Sequence, residues 1–253
     1  MNDTDISGRV ALVTGASSGL GMRFARVLAA SGARLVLAAR RVDRLEALAK
    51  ELRADGAEAI TVALDVADIA SIPAAVARAE QAMGPVEILV NNAGISRQAR
   101  LEEVTEADYD AVMQTNLKGA FFMAQAVARR MIALQIEGRI VNISSVAGIR
   151  VQGQLSTYSM SKAGMVAMTK SMAREWGRHG INTNAICPGY ITTEISADFL
   201  PTPGGQKLLA SLPRRRMGEP RDLDGVLLLL CAGEPARFLN GSIITADDGF
   251  SVW

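Results

Sequence analysis

A tyrosine and a lysine four residues apart carry the clearest chemistry in this sequence, within TYSMSKAGM at residues 157–165. If this stretch is helical, residues four apart lie on one face, so the phenol of Tyr158 and the ammonium of Lys162 reach the same small volume. A nearby cation favours the phenolate and lowers a tyrosine pKa that is about 10 when unperturbed. The pair therefore predicts a general acid/base near neutral pH. An ordinary surface pair on a helix has the same spacing, so the assignment depends on the rest of the chain.

A glycine-rich turn near the start of the chain has the features of a nucleotide-binding site. Residues 9–14 (RVALVT) predict a buried strand, which runs into TGASSGLG at residues 14–21 and then into a helical pattern over 22–31. Glycines in this context let the backbone approach a pyrophosphate at the positive end of the helix. Because the spacing of Gly15, Gly19 and Gly21 is looser than the usual G-x-G-x-x-G, an ordinary strand-to-helix turn is the alternative.

The end of the next predicted strand, 34–39, bears on which dinucleotide is bound. Nucleotide-binding βαβ units commonly carry an acidic residue there for the ribose hydroxyls of NAD, whereas an arginine suits the additional phosphate of NADP. Ala39 stands in the acidic place, and Arg40 and Arg41 follow it. A guanidinium binds phosphate through two parallel hydrogen bonds. We therefore expect NADP rather than NAD, the alternative being that both arginines only begin a solvated helix over 42–52.

Two later strand ends carry residues that suit the rest of a dinucleotide. The strand predicted at 59–64 ends at Asp65, whose carboxylate can bind the adenine amino group or merely cap a turn. The strand predicted at 86–90 is followed by Asn-Asn-Ala-Gly at 91–94. These small residues let a flat ring pass close to the backbone, although the tetrapeptide also fits an ordinary turn.

An asparagine in the middle of a long helical pattern needs an explanation. Asn116 lies within the pattern over 106–130, where its side chain competes for backbone hydrogen bonds. We expect either a local kink or a bound water at this position.

Strands and helices alternate along the whole chain, which predicts an α/β fold with one doubly wound parallel sheet. Ligands of such sheets bind outside the carboxyl ends of the strands. The pattern breaks at about 194–220, where several prolines and glycines predict a mobile lid over the substrate. The expected strands are 9–14, 34–39, 59–64, 86–90, 139–143, 183–186 and 242–246.

Composition narrows the class of protein. The 253 residues are 49% apolar with a formal net charge of +1, so a sizeable core is expected, and no basic stripe suggests nucleic acid. Cys187 and Cys231 have no metal-binding spacing and are expected to be buried thiols in a reducing cytosol. The start of the sequence is unlike a signal peptide, and the longest apolar run, 226–232, is too short for a membrane span. We expect a cytoplasmic protein with no metal site.

The ordered motifs resemble those of the short-chain dehydrogenase/reductase family, including members like the 3-oxoacyl-carrier-protein reductases. They are TGASSGLG, NNAG, Asn116, Ser145, Tyr158-x-x-x-Lys162 and PGYITT, and the resemblance runs from Gly8 to the C-terminus. It implies a single Rossmann-type domain over residues 1–253, with a seven-stranded parallel sheet and helices on both faces. It also implies hydride transfer between a nicotinamide cofactor and a ketone or secondary alcohol.

The resemblance assigns roles to individual residues. Tyr158 would be the general acid/base, Lys162 would hold the nicotinamide ribose and lower the tyrosine pKa, Ser145 would bind the substrate oxygen, and Asn116 would bind a water connected to Lys162. Ser144 is expected to be structural. The implied cofactor-binding residues are Gly15, Ser17, Ser18, Gly19, Leu20, Gly21, Arg40, Arg41, Asp65, Val66, Asn92, Ala93, Gly94, Tyr158, Lys162, Pro188, Gly189, Ile191 and Thr193.

One position departs from the family pattern, and other interpretations stay open. Asp248 stands where the family usually has a glycine, which puts the local backbone shape in doubt. The resemblance implies a homotetramer, with small residues on the helices at 108–131 and 158–176 (Ala120, Ala124, Ala128, Ala163 and Ala167) permitting close packing. The alternatives are an NAD-linked alcohol, sugar or steroid dehydrogenase and, outside enzymes, a catalytically silent nucleotide-binding regulator.

Overall fold

The computed structural model describes residues 5–192 and 201–252. Within these residues seven strands pair in parallel to form one sheet in the order β3-β2-β1-β4-β5-β6-β7. The strands are β1 Val10–Thr14, β2 Arg34–Ala39, β3 Ala59–Ala63, β4 Ile88–Asn91, β5 Gly138–Ile143, β6 Ile181–Pro188 and β7 Ile243–Ala246. The sheet confirms the predicted doubly wound fold, because β1 lies between β2 and β4 and the chain order reverses there.

Helices cover both faces of the sheet, as the apolar strands require. The helices are α1 Gly19–Ala30, α2 Val42–Ala54, α3 Ile72–Met83, α4 Glu106–Met113, α5 Ala120–Leu134, α6 Ser156–Trp176, α7 Pro203–Ser211 and α8 Asp224–Cys231. One core contains buried residues of α1, α2 and α8, and the other contains buried residues of α3, α5 and α6. Successive residues of β1 alternate between the two: Ala11 packs into the first core, and Leu12 into the second.

The long helix expected over 106–130 is interrupted. Residues Gln114–Gly119 form a π-helical turn between α4 and α5. Such a turn adds a residue to the helix and changes which side chains face inward. The kink, one of the two explanations offered for Asn116, is therefore present.

The segment expected to be irregular contains a helix. Part of it, residues 193–200, lies outside the described residues. Beyond that, α7 spans Pro203–Ser211, with Pro203 in its first turn. Thr202 caps it by accepting a hydrogen bond from the Gly205 amide at 3.1 Å. The prolines and glycines that suggested a loop therefore partly serve to begin a helix.

The alanines expected at a subunit interface divide between two environments. Ala120, Ala124 and Ala128 of α5 are buried in the protein's own core, so the expectation that they face a neighbouring subunit is wrong. They allow α5 to lie close to the sheet. Ala163 and Ala167 of α6 are exposed.

Candidate active site

A cavity of about 490 Å³ opens at the carboxyl ends of β1 and β4, where the strand order reverses. Its walls come from the turn after β1, the ends of β2 to β6 and the start of α6. Open α/β sheets bind ligands at this position. The cavity therefore gathers chain segments that are far apart in sequence at the one place where a dinucleotide is expected.

The turn after β1 leaves the amino end of α1 available to an anion. Gly15 and Gly19 have φ angles of +68° and +53°, a left-handed backbone that glycine adopts without steric cost. Ser18 is the N-cap of α1, yet its side chain makes no capping hydrogen bond, and the first turn contains no acidic residue. A Cβ on Gly15 would lie 2.9 Å from Ala93 Cα, so the turn also needs glycine for close packing. These features suit a bound phosphate.

Arg41 lies against the same turn. Its Nη2 donates to Ser17 Oγ at 3.1 Å and to Ser18 Oγ at 2.6 Å. Arg40 lines the cavity as well, with its Nη1 3.8 Å from Asp65 Oδ2 and its side chain two-thirds exposed. Asp65 also accepts a hydrogen bond from the Ala67 amide at 3.0 Å, so the turn-capping alternative for this residue is present in the structure.

The segment after β4 is fixed to β1 by a threonine that the sequence interpretation did not single out. Thr14 Oγ1 accepts hydrogen bonds from the amides of Asn92 at 3.0 Å and Ala93 at 3.1 Å. The side chain of Asn92 returns a bond to the Thr14 carbonyl at 3.0 Å. This exchange holds the two strand ends together under the cavity floor. A lone threonine at a strand end carries no signal for such a role.

Tyr158 and Lys162 face the cavity from the first two turns of α6. Lys162 is 3% exposed, and its Nζ donates to the carbonyl of Ile143 at 2.7 Å. The same nitrogen lies 5.6 Å from the centre of the Tyr158 ring. Burial lowers the pKa of Lys162 to about 8 from its ordinary 10.5.

Ser145 enters the cavity from the end of β5. Its hydroxyl accepts from the Ala147 amide at 3.1 Å and hydrogen-bonds the Tyr158 side chain. The neighbouring Ser144 is turned away and donates to the Lys162 carbonyl at 2.9 Å, a contact that fixes α6 on β5.

The expectation of a lowered tyrosine pKa is wrong. Burial raises the pKa of Tyr158, and the hydrogen bond with Ser145 only partly opposes that effect. Removal of the phenolate from water is the largest effect on this pKa, and the nearby ammonium of Lys162 bonds to the Ile143 carbonyl. Tyr158 is therefore held as a neutral phenol at neutral pH.

Asn116 lies behind the cavity. It is fully buried in the π-helical turn, where its Oδ1 accepts from the Ile95 amide at 2.8 Å. Its Nδ2 donates to the Ile95 carbonyl at 2.9 Å and to Ser161 Oγ at 3.1 Å. Asn116 thus ties the segment after β4 to α6. The water expected from the family likeness stays a prediction.

Comparison with known proteins gives the family. A family model described as short chain dehydrogenase matches residues 9–203. The chain belongs to the short-chain dehydrogenase/reductase family. The resemblance read from the motifs is thereby confirmed, and this short-chain dehydrogenase is an oxidoreductase that acts on CH–OH groups.

Relatives and solved structures cover almost its whole length. The chain is 39% identical over 248 residues to a gluconate 5-dehydrogenase of Gluconobacter oxydans (strain 621H), covering 98% of this chain and 96% of the relative. It is 36% identical over 247 residues to a 3-oxoacyl-(acyl-carrier-protein) reductase of Thermotoga maritima, covering 98% and 99%. A gluconate 5-dehydrogenase from Burkholderia cenocepacia J2315, in complex with NADP and tartrate, superposes with a TM-score of 0.94 at 36% identity, covering 100% of this chain and 98% of that chain.

Most of the site residues expected in this short-chain dehydrogenase line the cavity. Gly21 does not: a Cβ there would lie 2.3 Å from the Gly15 carbonyl oxygen, so its glycine serves packing between α1 and the turn. Thr193 lies outside the described residues. Ser96 and Thr115 line the cavity without having been expected. The expected residues on its walls are Gly15, Ser17, Ser18, Gly19, Leu20, Arg40, Arg41, Asp65, Val66, Asn92, Ala93, Gly94, Ser145, Tyr158, Lys162, Pro188, Gly189 and Ile191.

The described residues of this short-chain dehydrogenase contain no group of three or more His, Cys, Asp or Glu side chains placed to hold a metal ion. Over residues 5–192 and 201–252, no helix combines the length and the apolar character needed to cross a bilayer. Cys187 and Cys231 are both buried free thiols, as their place in the sequence predicted.

Proposed function

We propose that this chain is an NADP(H)-dependent oxidoreductase that transfers hydride between nicotinamide and a ketone or secondary alcohol, with Tyr158 as the general acid/base. The observation that carries the proposal is the meeting of Tyr158, Lys162 and Ser145 in one cavity with the glycine turn. These three residues come from β5 and α6, and the turn comes from the other half of the sheet.

The residues on the cavity walls suit a nicotinamide dinucleotide. The uncapped amino end of α1 and the left-handed glycines at 15 and 19 offer amides to a pyrophosphate. The ends of β3 and β4 would take the adenosine and ribose, and Ile191 would lie at the nicotinamide end. When bound, the nicotinamide ring would supply or accept the hydride.

The protein's own part in the reaction is to position the substrate and to move a proton. Ser145 would donate a hydrogen bond to the substrate oxygen, while Tyr158 would protonate that oxygen in reduction and accept its proton in oxidation. Because burial keeps Tyr158 neutral, its hydroxyl proton is available for transfer. Lys162 would bind the ribose and, as a cation beside the phenol, ease its ionisation.

NADP is preferred over NAD in this proposal because of Arg40 and Arg41. Both line the cavity beside Ser17 and Ser18, and the end of β2 offers Ala39 in place of a carboxylate. The Burkholderia gluconate 5-dehydrogenase, which shares the fold, is in complex with NADP. The alternative is an NAD-linked alcohol, sugar or steroid dehydrogenase.

The substrate is proposed to be a hydroxylated ketone or alcohol of the sugar-acid type. The support is the relative named gluconate 5-dehydrogenase, together with cavity walls that carry the hydroxyls of Ser96, Thr115 and Ser145. An acyl substrate on a carrier protein is the alternative, since a 3-oxoacyl-(acyl-carrier-protein) reductase is also among the relatives.

Three further features belong to the proposal. They are a cytoplasmic location, a homotetrameric assembly and a lid at about 194–220 within a single domain of residues 1–253. Nucleic acid and membrane have no part in the proposed activity.

The proposal is tested with a Tyr158→Phe variant. Purified wild type is screened against sugar acids, polyols, simple ketones and 3-oxoacyl thioesters with NADPH and NADH, and nicotinamide absorbance is followed. The variant is expected to lose turnover by about 10²- to 10⁴-fold, the range that general acid/base catalysis supplies, while binding NADPH with unchanged affinity.

Tyr109→Phe is the matched control, because Tyr109 is 40% exposed and does not line the cavity. Unchanged turnover in Tyr158→Phe would remove the tyrosine from the mechanism. Tighter binding of NADH than of NADPH by the wild type would overturn the cofactor assignment. Dinucleotide binding with no turnover on any compound would favour the silent regulator.

A further inference from the structure

Asp248 adopts a backbone conformation that suits the glycine expected at its position. Its φ angle is +55°, in the left-handed region where aspartate is among the few residues other than glycine found routinely. It lies in the loop that follows β7. Its side chain is only 25% exposed, although the residue ends a surface loop.

The Asp248 carboxylate bridges two arginines. Its Oδ1 lies 3.2 Å from Arg214 Nε, and its Oδ2 lies 3.3 Å from Arg216 Nε. Arg215 between them also has a left-handed backbone, with φ of +51°. Arg216 has a weaker second partner, Asp222, at 3.7 Å. One carboxylate thus binds both arms of a tight turn, and each oxygen has its own cation.

The turn that Asp248 holds leads directly into the wall of the cavity. The Gly218 amide donates to the Tyr190 carbonyl at 2.9 Å, and the Thr192 amide donates to the Gly218 carbonyl at 2.8 Å. Ile191, between these two, lines the cavity, and a Cβ on Gly218 would lie 2.6 Å from its Cδ1. The position of Ile191 therefore depends on where the chain runs at Gly218.

The loop that carries Asp248 is itself fixed to the strand on the other side of Ile191. The Gly189 amide donates to the Ala246 carbonyl at 2.9 Å, and a Cβ on Gly189 would lie 2.7 Å from Asp247 Cα. Asp247 Oδ1 and Oδ2 accept from the amides of Gly249 at 3.0 Å and Ser251 at 2.7 Å, which keeps the loop rigid. The Phe250 ring meets the Tyr190 ring edge to face at 5.3 Å. The loop that carries Asp248 is therefore held in one position by these contacts.

We propose that Asp248 is a positioning residue that clamps the turn at 214–216 and so places the segment at Gly218 against Ile191, setting the affinity of the site for its nicotinamide dinucleotide. The proposal rests on the proposed oxidoreductase function for its kinetic effect, but the clamp itself does not. A glycine at 248 would keep the backbone conformation and remove only the carboxylate. The two ion pairs with Arg214 and Arg216 explain why an aspartate occupies this left-handed position.

Limited trypsin digestion tests the clamp without any assay of activity. Trypsin cleaves after arginine when the chain around it can open, and three arginines lie together at 214–216. Asp248→Gly and Asp248→Asn are expected to be cut in this turn roughly five-fold faster than wild type, the order that two partly exposed ion pairs supply. Both replacements tolerate the left-handed backbone, so both variants are expected to fold, with a melting temperature within a few degrees of wild type.

Kinetics then test the effect of the clamp on the site. In both variants the KM for the dinucleotide is expected to rise by about five-fold, with kcat within two-fold of wild type. Glu58→Gln is the matched control, because it removes one exposed ion pair, with Arg34, that lies away from the cavity. It is expected to change neither readout.

Cleavage at 214–216 at the wild-type rate in Asp248→Gly would overturn the clamp, whether or not a substrate has been found. Faster cleavage with an unchanged KM for the dinucleotide would overturn the link to the site and leave the clamp and the enzyme function standing. If the wild type shows no turnover while digestion is accelerated in the variants, the proposed function fails and the clamp survives.

Discussion

Lys162 is a buried lysine whose ammonium donates a hydrogen bond to a main-chain carbonyl. Its Nζ bonds to the Ile143 carbonyl at 2.7 Å, and burial lowers its pKa to about 8. Lys162 therefore loses its proton at a lower pH in the folded state than in the unfolded state, where it keeps the ordinary pKa of 10.5. Between these two values the unfolded chain binds more protons, so stability rises with pH there. Below pH 8 the charged form costs about 3 kcal/mol of folding free energy.

Lys162→Met removes that titration, and its effect on stability should depend on pH. At pH 7 the wild type carries the full cost of the buried charge, and at pH 9.5 it has lost most of it. The free energy of unfolding of the variant minus that of wild type should therefore fall by about 2 kcal/mol between pH 7 and pH 9.5. Urea unfolding at both pH values measures this difference.

Lys170→Met, an exposed position on the same helix, is the control, and its stability relative to wild type should not change with pH. A difference for Lys162→Met that stays constant or grows as the pH rises would show that the Lys162 pKa is not lowered by burial.

At the scale of elements, the π-helical turn explains how a polar side chain enters the core at Asn116. The additional residue at Gln114–Gly119 turns Asn116 inward, where it exchanges two hydrogen bonds with the main chain of Ile95 and donates a third to Ser161. A regular helix has no such pocket for an asparagine. The turn thus holds the segment after β4, which lines the cavity, in a fixed position relative to α6.

Asn116→Ala is expected to loosen that segment. It would leave the partly buried amide and carbonyl of Ile95 without these partners, which costs about 1–3 kcal/mol. Hydrogen exchange of the Ile95 amide should accelerate, and the free energy of unfolding should fall by that amount. Lys118→Ala, exposed on the same turn, should change neither quantity. Protection of Ile95 equal to wild type in Asn116→Ala would show that the asparagine is not what holds the segment.

The sequence predicted the parts of the fold that depend on local patterns. All seven strands begin and end within two residues of the predicted positions, because apolar runs bounded by glycine and polar residues define a buried parallel strand. It predicted a kink or a bound water at Asn116 without deciding between them, because the hydrogen bonds to Ile95 and Ser161 that fix the π-helical turn come from distant parts of the chain. The inward direction of Ala120 was also missed, because alanine fits a core and an interface equally well.

The site was predictable where its residues belong to local sequence motifs, as the strands were. Residues carried by sequence motifs, such as Tyr158 and Lys162, fell on the cavity wall as expected. The raised pKa of Tyr158 was not predictable, because it depends on how much water the packed chain excludes. The hydrogen bonds of Thr14 likewise depend on the meeting of β1 and β4, which no local pattern encodes.

In the whole molecule, the two ends of the sheet have different tasks. The carboxyl ends of the strands surround the cavity, and two arginines, one buried and one partly buried, bind at the amino ends. Arg139, at the start of β5, is 3% exposed and donates to the carbonyls of Gly138, Ala232 and Gly233 at 2.9–3.2 Å. Arg9, before β1, donates to the Cys231 carbonyl at 3.0 Å. These two cations satisfy the carbonyls at the end of α8, where the helix dipole is negative.

Arg139→Met should therefore separate stability from activity. Methionine fills much of the same space but leaves two carbonyls after α8 without donors, and the expected loss is about 2–4 kcal/mol in the free energy of unfolding. Burial lowers the pKa of Arg139, which means that desolvation opposes its charged form. The expected loss of stability is therefore smaller than three hydrogen bonds from an exposed charged group would suggest. KM and kcat should stay within two-fold of wild type, because Arg139 lies at the end of β5 opposite Ser145.

Arg237→Met, at an exposed surface position, is the control and should change neither the stability nor the kinetics. A variant as stable as wild type would mean that the end of α8 does not need this cation, and a large loss of kcat at full stability would mean that the two ends of the sheet are coupled.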